Sequence, residues 1–476
     1  MSTNPVAPLT DAADWPPPID TLMNLTPDGL GTEAPRLTVI GTGYLGATHA
    51  VAMAALGYRV LGVDVDPQKV RDLSAGQVPF FEPGLPSLLG KAMATGRLSF
   101  TDSLQEAAEF GDVHFLCVGT PQRADGLGAD LTYVEAALTG LAVHLRRPCV
   151  IAGKSTVPVG TARRLAQTVS DLAPAGAAAQ LMWNPEFLRE GFAVEDTLCP
   201  DRLVIGAADG GTATDLVARV YEPLTDRGCP LIRTDLETAE LVKVAANSFL
   251  ATKISFINAM AEVCEATGAD VSVLANALSY DARIGGQFLK PGLGFGGGCL
   301  PKDIRAFMAR TNELGVGQAT AFLREVDDIN RRRRRRTVDL VREVAGGDLT
   351  DVRVCALGAA FKPNSDDVRD APALDVARML VEEGALVSVF DPEAMDNARK
   401  VQPTLHYADG VGAAARGAEV VVLLTEWPQF RAIDPELLGH IVNAKRVVDG
   451  RHALDARSWS AAGWEYRALG RPTQVA

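Results

Sequence analysis

An α/β fold of two doubly wound parallel-sheet domains, joined by a central helical domain with one long helix, is predicted by three observations. Short apolar runs alternate with helical stretches from Arg36 to Asp235. The stretch Glu237–Thr267 holds no Pro or Gly and carries apolar residues at helical spacing. After the run Arg331–Arg336 the alternating pattern resumes. Strand–helix alternation implies parallel strands covered by helices on both faces. A chain of 476 residues, 47% of them apolar, has material for several cores.

Residues 1–35 form a Pro-rich extension with no helical or strand period, expected to be mobile because proline blocks regular hydrogen bonding. In the first domain (36–235), Leu37–Ile40 reads as a buried strand, Leu45–Leu56 as a helix closed by Gly57, and Val60–Val63 as a strand ending at Asp64. Val113–Val118, Cys149–Ala152 and Leu203–Ile205 are further strands. In the central domain (236–330), Glu237–Thr267 as one helix spans about 46 Å at ~1.5 Å per residue, with Gly268 as its stop. In the last domain (331–476), Val352–Leu357, Leu386–Phe390, Glu419–Leu424 and Arg446–Val448 read as strands and Pro372–Glu383 as a helix. LTVIGTG and VRVCALG, GVDVD and VSVFDP, and DVHFLCVGTP and AEVVVLLTEW are similar in pattern, which suggests a duplicated design. The arginine run reads as a solvated helix face, because its charges repel one another.

A formal net charge of −13 argues against nucleic acid as a partner, since such binding rests on basic surface. No stretch approaches the ~20 apolar residues of a membrane span, and the first basic residue is Arg36, unlike a signal peptide. Seven cysteines without a Cys-x-x-Cys pair suit a reducing compartment, so a cytoplasmic location is expected. With six scattered histidines, no metal is expected.

Gly41-Thr42-Gly43-Tyr44-Leu45-Gly46 follows an apolar strand and opens a helix, and Asp64 ends the next strand. The first glycine permits a tight turn, the second lets backbone approach a pyrophosphate, and the third allows close helix–strand packing. The helix N-terminus attracts phosphate. A carboxylate at position 64 accepts hydrogen bonds from a ribose and repels a 2′-phosphate, favouring NAD, although Lys69 could approach a phosphate. This is a Rossmann-type dinucleotide site. The corresponding Gly358-Ala359-Ala360-Phe361 lacks the second and third glycines and is not expected to hold a second dinucleotide.

Three further segments bear on chemistry. Gly292–Gly298 is too glycine-rich for a helix or strand interior and reads as backbone packed around a ligand, ending in Cys299-Leu300-Pro301-Lys302-Asp303. A free thiol is only a few per cent thiolate at neutral pH, so Cys299 needs help from Lys302 and the helix expected to begin near Pro301. Cys117, Cys149, Cys264 and Cys355 lie in apolar runs and read as core. Lys243 and Asn247 stand four apart on one helix face; on pattern alone, Lys243 is a surface lysine. In Trp183–Gly191, Glu186 and Glu190 could serve a site or equally cap a helix.

Together these segments resemble the UDP-glucose/UDP-N-acetylmannosamine dehydrogenase family. GTGYLG, CVGTP, STVPVG, NPEFLREG, AELVKVAANSFLA, RIGGQFLKPGLGFGGGCLPKD, FKPNSDDVRD and VVDGR occur in family order from Arg36 onward. The resemblance implies oxidation of the C6 alcohol of a nucleotide-activated glucose to the carboxylate by two successive NAD. Cys299 matches the nucleophile that holds a thiohemiacetal and then a thioester. Lys243 matches the lysine that moves the C6 proton, and Asn247 a donor to the same oxygen. Asp303 matches a residue orienting Lys243 and water, Glu186 one activating the hydrolytic water, and Thr156 one holding it.

For the cofactor, Gly41–Gly46, Asp64, Lys69, Val118, Thr120, Pro121, Ser155, Thr156, Glu190 and Lys302 match family contacts, with Arg369 reaching it across a dimer. For the sugar nucleotide the matches are Glu186, Phe187, Leu188, Lys243, Asn247, Phe288, Lys290, Gly292, Gly294, Phe295, Gly296, Phe361, Lys362 and Arg451. Arg283 matches a residue supplied by a neighbouring subunit, so a homodimer is implied. Gly-Gly-Gly-Cys replaces a commoner Gly-Gly-Ser-Cys, and the N-terminal extension and arginine run have no counterpart. The Gly-Phe-Gly-Gly-x-Cys-x-x-Lys-Asp ending favours glucose over an N-acetylhexosamine. One methyl on the base is worth only about 1–3 kcal/mol, so uracil and thymine stay open. A single-step dehydrogenase, giving one NADH per substrate, is the rival class.

Overall fold

The computed structural model describes residues 34–208 and 212–472. All but the last two residues of the Pro-rich extension lie outside the described residues. The chain divides into two compact units, the first running to Thr120 and then over Asp130–Lys243, the second comprising Pro121–Ala129 and Val244 onward.

The sheet of the first unit contains β1 (Leu37–Ile40), β2 (Val60–Val63), β3 (Leu98–Thr101), β4 (Val113–Leu116), β5 (Cys149–Gly153), β6 (Ala179–Trp183), β7 (Leu203–Gly206) and β8 (Leu231–Thr234). Their order is β3-β2-β1-β4-β5-β6-β7-β8. Leu37 pairs with both Val60 and Val113, so β1 lies between the two directions of winding. Neighbouring residues of β1 feed opposite cores: Leu37 and Val39 pack on one face, with Phe115, and Ile40 on the other, with Leu116 and Ile151. Burial on both faces is what a continuous LTVI run encodes.

One junction departs from the all-parallel expectation: β6 meets β7 antiparallel, through Trp183 and Gly206. The connection carries the six-residue helix Ala193–Leu198, about 9 Å long at ~1.5 Å per residue.

In the second unit, β9 (Arg353–Leu357), β10 (Leu386–Phe390), β11 (His406–Tyr407), β12 (Val420–Leu423), β13 (Arg446–Asp449) and β14 (Glu465–Ala468) form an all-parallel sheet in the order β11-β10-β9-β12-β13-β14. Both sheets therefore reverse direction beside their first strand, where α/β proteins bind ligands at the strands' carboxyl ends. The long helix runs Leu236–Thr267, and the unit boundary falls within it. Leu300–Glu313 and Phe322–Ala345 are the other long helices of the second unit. No helix among the described residues is long and apolar enough to cross a membrane.

The arginine run is not a uniformly solvated face. Arg331, Arg332 and Arg335 are half exposed, but Arg333 is fully buried and Arg334 nearly so. Arg333 and Arg336 meet Glu265 at 3.3 and 2.6 Å, and Arg331 meets Asp327 at 2.9 Å. Successive residues of a helix point in different directions, so six adjacent arginines cannot share one face. Those turned inward pair with carboxylates, as buried charge requires.

Candidate active site

The glycine turn after β1 has the three expected properties. Gly41 sits at φ +89°, where a side chain is strained. A Cβ on Gly46 would stand 1.8 Å from the Gly41 carbonyl oxygen, whereas one on Gly43 would meet nothing within 4 Å. The middle glycine thus leaves the open backbone that a pyrophosphate needs, and the residues fit a dinucleotide. The Asp64 carboxylate is held at the end of β2 by the Thr42 N–H (2.9 Å), the Thr42 hydroxyl (3.1 Å) and the Asp66 N–H (3.0 Å), with Lys69 at 3.7 Å.

The loops after β4 and β5 are joined. Thr120 donates its hydroxyl to the Thr156 carbonyl at 2.7 Å, and Ser155 donates to the Val118 carbonyl at 2.6 Å. This gathers four of the residues expected to contact the cofactor; Pro121 is exposed. Glu190 is buried, and the next residue, Gly191, donates its N–H to both Tyr44 Oη and Glu82 Oε2 at 2.6 Å.

On the loop after β6, Glu186 Oε1 lies 3.3 Å from Lys243 Nζ, and its Oε2 accepts the Leu188 N–H at 2.5 Å. Lys243 is 5% exposed, and its ammonium stands 5.5 Å from the Phe187 ring centre. The surface-lysine pattern is therefore not what the fold realises.

In the second unit, Asn247 donates its side-chain amide to Asp303 at 2.6 Å, and Lys302 meets the other oxygen of Asp303 at 2.5 Å. Cys299 precedes the helix Leu300–Glu313 and is exposed, while the other six cysteines are buried. Gly292, Gly294, Phe295 and Gly296 are buried around it in sequence, and Lys290 is exposed. Phe288 adopts φ +62°, and Arg283, 89% exposed, is paired with Asp281. Lys362 Nζ stands 5.4 Å from the Phe361 ring centre, and Arg369 is paired with Asp367 at 2.7 Å. Arg451 is largely buried and donates to the carbonyls of Leu424 (2.8 Å), Gly294 (2.8 Å) and Phe361 (3.2 Å). Burial pulls its pKa down, with Glu426 opposing.

Sequence reading missed Lys154, Asn184 as its partner, and Tyr221. Lys154 directly follows β5, is buried, and donates to Asn184 Oδ1 at 3.0 Å and Tyr221 Oη at 3.4 Å. Burial pushes the Lys154 ammonium down, Cys117 and Glu186 oppose that, and Lys243 adds to it. A lysine continuing an apolar strand was the available signal. Glu240 was missed as well: it accepts the N–H groups of Gly160 (2.7 Å) and Ala162 (2.6 Å), capping the helix Thr161–Leu172 that follows the STVPVG loop. Among the described residues, no group of three or more His, Cys, Asp or Glu side chains is placed to hold a metal ion.

Residues 35–225 match the NAD binding domain of the UDP-glucose/GDP-mannose dehydrogenase family, residues 237–332 its central domain and residues 355–456 its UDP binding domain. The chain belongs to the UDP-glucose/GDP-mannose dehydrogenase family. It is 41% identical to the UDP-glucose 6-dehydrogenase of Rhizobium meliloti (strain 1021) over 92% of this chain and 100% of the relative. Against UDP-glucose 6-dehydrogenase TuaD of Bacillus subtilis (strain 168), identity is 39% over 92% and 93% of the two chains. The solved UDP-glucose dehydrogenase of Pyrobaculum islandicum superposes with a TM-score of 0.85 at 39% identity, covering 93% of this chain and 99% of that one.

Membership of this dehydrogenase family makes NAD the cofactor of the first sheet domain. The second sheet repeats the design without the dinucleotide site. Its counterpart of Asp64 is Asp391, which is buried and accepts the N–H groups of Ala359 (2.8 Å), Ala360 (3.0 Å), Glu393 (3.0 Å) and Ala394 (2.9 Å), together with Trp427 Nε1 (3.0 Å). A carboxylate so engaged has no free edge for a ribose.

Proposed function

We propose that this chain oxidises the C6 alcohol of UDP-glucose to the carboxylate of UDP-glucuronate through a covalent thioester on Cys299. The observation that carries the reading is the exposed Cys299 thiol at the end of a buried glycine segment, when every other cysteine is buried. Domains 36–235, 236–330 and 331–476 bind the cofactor, mediate association and bind the sugar nucleotide, respectively.

Gly41–Gly46, Asp64, Lys69, Val118, Thr120, Pro121, Ser155, Thr156, Glu190, Lys302 and Arg369 hold NAD. Bound NAD supplies the hydride acceptor once per two-electron step, so one sugar gives two NADH. Lys243 assists transfer of the C6 hydroxyl proton as the alcohol becomes an aldehyde and stabilises the oxyanion charge that develops, and Asn247 donates to the same oxygen. The Cys299 sulfur adds to the aldehyde carbon, and the thiohemiacetal so formed is oxidised to the thioester. Glu186 removes a proton from the water held by Thr156, the C–S bond breaks, and the acid leaves with the thiol restored. Asp303 orients Lys243 and water, and its carboxylate also accepts the Asn247 side-chain amide at 2.6 Å. Phe187, Leu188, Phe288, Lys290, the Gly292–Gly296 backbone, Phe361, Lys362 and Arg451 bind the sugar nucleotide.

The working form is a homodimer, in which Arg283 and Arg369 act across the interface. Support comes from the long helix, where Phe249, Phe256 and Val263 repeat every seven residues and are 68%, 49% and 52% exposed. A stripe of that period is a helix-pairing seam. The cytoplasm is the proposed setting, supported by seven cysteines that are all unbridged thiols.

The test is purified protein with NAD and a panel of UDP-glucose, dTDP-glucose and UDP-N-acetylmannosamine, counting NADH per sugar and identifying the acid. Two NADH per UDP-glucose are expected, with no acid from Cys299→Ser. One NADH per sugar, or undiminished four-electron turnover in Cys299→Ser, refutes the proposal.

A further inference from the structure

The glycine segment that ends in Cys299 cannot hold its own shape. It has few side chains to pack, and glycine loses more conformational freedom on ordering than any other residue. Polar groups from elsewhere in the second unit grip its main chain instead. Asn330, fully buried, accepts the Phe295 N–H at 2.7 Å and donates to the Phe295 carbonyl at 2.9 Å, as a neighbouring strand would. One turn further along the same helix, Arg334 donates to that carbonyl at 3.3 Å and pairs with Asp370 at 2.8 Å.

Asp370 links this grip to the other side of the thiol. Its second oxygen accepts from Arg305 at 2.9 Å, and Arg305 lies on the helix that starts directly after Cys299. Its carbonyl lies 2.3 Å from where a Cβ on Gly296 would stand, so backbone and segment are in close contact. Asp370 also adopts φ +45°, a conformation that costs free energy in a non-glycine residue and persists only when its surroundings impose it. The chain is thus tethered before Cys299, at Phe295, and after it, at Arg305, to one cluster.

We infer that Arg334 and Asp370 are positioning residues for the Cys299 thiol, acting by fixing the glycine segment and the following helix together. This gives part of the arginine run a task in the reaction, and it rests on Cys299 being the nucleophile. Displacing a nucleophile by about 1 Å can cost on the order of a hundredfold in rate.

The experiment uses Arg334→Lys, Asp370→Asn and the double variant in the full-length protein. Lysine keeps the charge without the fork, and asparagine keeps tolerance of positive φ without the charge. Each single variant should lower kcat about tenfold or more, with KM for NAD unchanged within about twofold. The rate at which iodoacetamide alkylates Cys299 should shift in the same variants, measured well below each variant's own melting midpoint. The double variant should be no worse than the poorer single, since both residues act through one unit. Additive losses, or unchanged kcat and alkylation in both singles, overturn the inference. Full turnover in Cys299→Ser would instead sink the nucleophile assignment, which separates the two failures.

Discussion

Glu186 Oε1 stands 3.3 Å from Lys243 Nζ, so the residue assigned to water activation and the residue assigned to the C6 proton share one buried ion pair. Glu186→Gln keeps the shape and an acceptor for the Leu188 N–H, but removes the charge and the basic oxygen. General acid–base groups contribute about 10²–10⁴-fold, and a loss of that order in kcat is expected. Because the defect lies in hydrolysis, a sugar adduct on Cys299 should accumulate and be visible by intact-protein mass spectrometry. A slow variant without any adduct would assign Glu186 to an earlier step.

Asp64 is expected to set the choice of nicotinamide cofactor. Its carboxylate is already oriented by Thr42 and Asp66, and Lys69 lies 3.7 Å away. Asp64→Asn keeps an acceptor for the Thr42 N–H while removing the charge that repels a 2′-phosphate. KM for NAD should rise about tenfold with kcat little changed, since the lost contact is equal in ground and transition states. NADP turnover should appear at the same time, assisted by Lys69. Steady-state kinetics with both cofactors checks this.

Much of this was legible in the sequence, for identifiable reasons. Leu37–Ile40, Val60–Val63 and Leu386–Phe390 are strands with the expected limits, because buried parallel strands are written as unbroken apolar runs between turns. The long helix begins one residue earlier than its Pro-free, Gly-free stretch suggested. The edge strand β3 was not legible: only Leu98 of its four residues is buried, so no run marks it. Nor was the reversal at β7, because a buried apolar run such as LVIG carries no mark of strand direction. In the site, backbone-shaping glycines and Cys299 announce themselves by composition. Asn330, Asp370 and Lys154 do not, because their importance lies in partners 30 or more residues away.

Lys154 is a buried cation that donates hydrogen bonds to two neutral groups, Asn184 and Tyr221. Taking an ion out of water costs free energy that neutral partners offset only in part, so an apolar side chain of similar length relieves that cost. Asn184 Oδ1 would still accept the Tyr221 hydroxyl at 2.6 Å in Lys154→Met. The charge acts on Lys243 and Glu186, so its removal should lower activity while the melting midpoint holds or rises. Calorimetry and kcat on one preparation separate this outcome from ordinary core damage, which lowers both.

The apolar stripe of the long helix makes a prediction about assembly. Phe249 and Phe256 are large, exposed and one heptad apart. Phe249→Asp with Phe256→Asp should place a charge on each side of the seam and convert a dimer into a monomer. Sedimentation velocity on the double variant is the check. If Arg283 acts across the interface, substrate affinity should fall with the loss of the dimer, and KM for UDP-glucose should rise.

Stability should fall on acidification because of a histidine that the fold buries neutral. His114 on β4 is fully buried, with Nδ1 2.7 Å from the Thr38 hydroxyl. Burial pulls its pKa from 6.5 to about 3, with Arg147 adding to the shift and Asp112 opposing it. The folded pKa is thus below the unfolded one, and the native state refuses a proton that the unfolded chain accepts. Above the unfolded pKa of 6.5 neither state binds that proton and no penalty exists. As pH falls from there toward about 3, the unfolded state gains about 1.4 kcal/mol per pH unit. His49, also held well below its ordinary value by burial, adds in the same direction. His114→Asn retains a polar atom for Thr38 but cannot titrate in this range. Its melting midpoint should therefore drop less than that of the parent between about pH 6.5 and pH 5, by the equivalent of about 2 kcal/mol. Parallel curves for the two proteins over that interval would mean that His114 is not the group responsible.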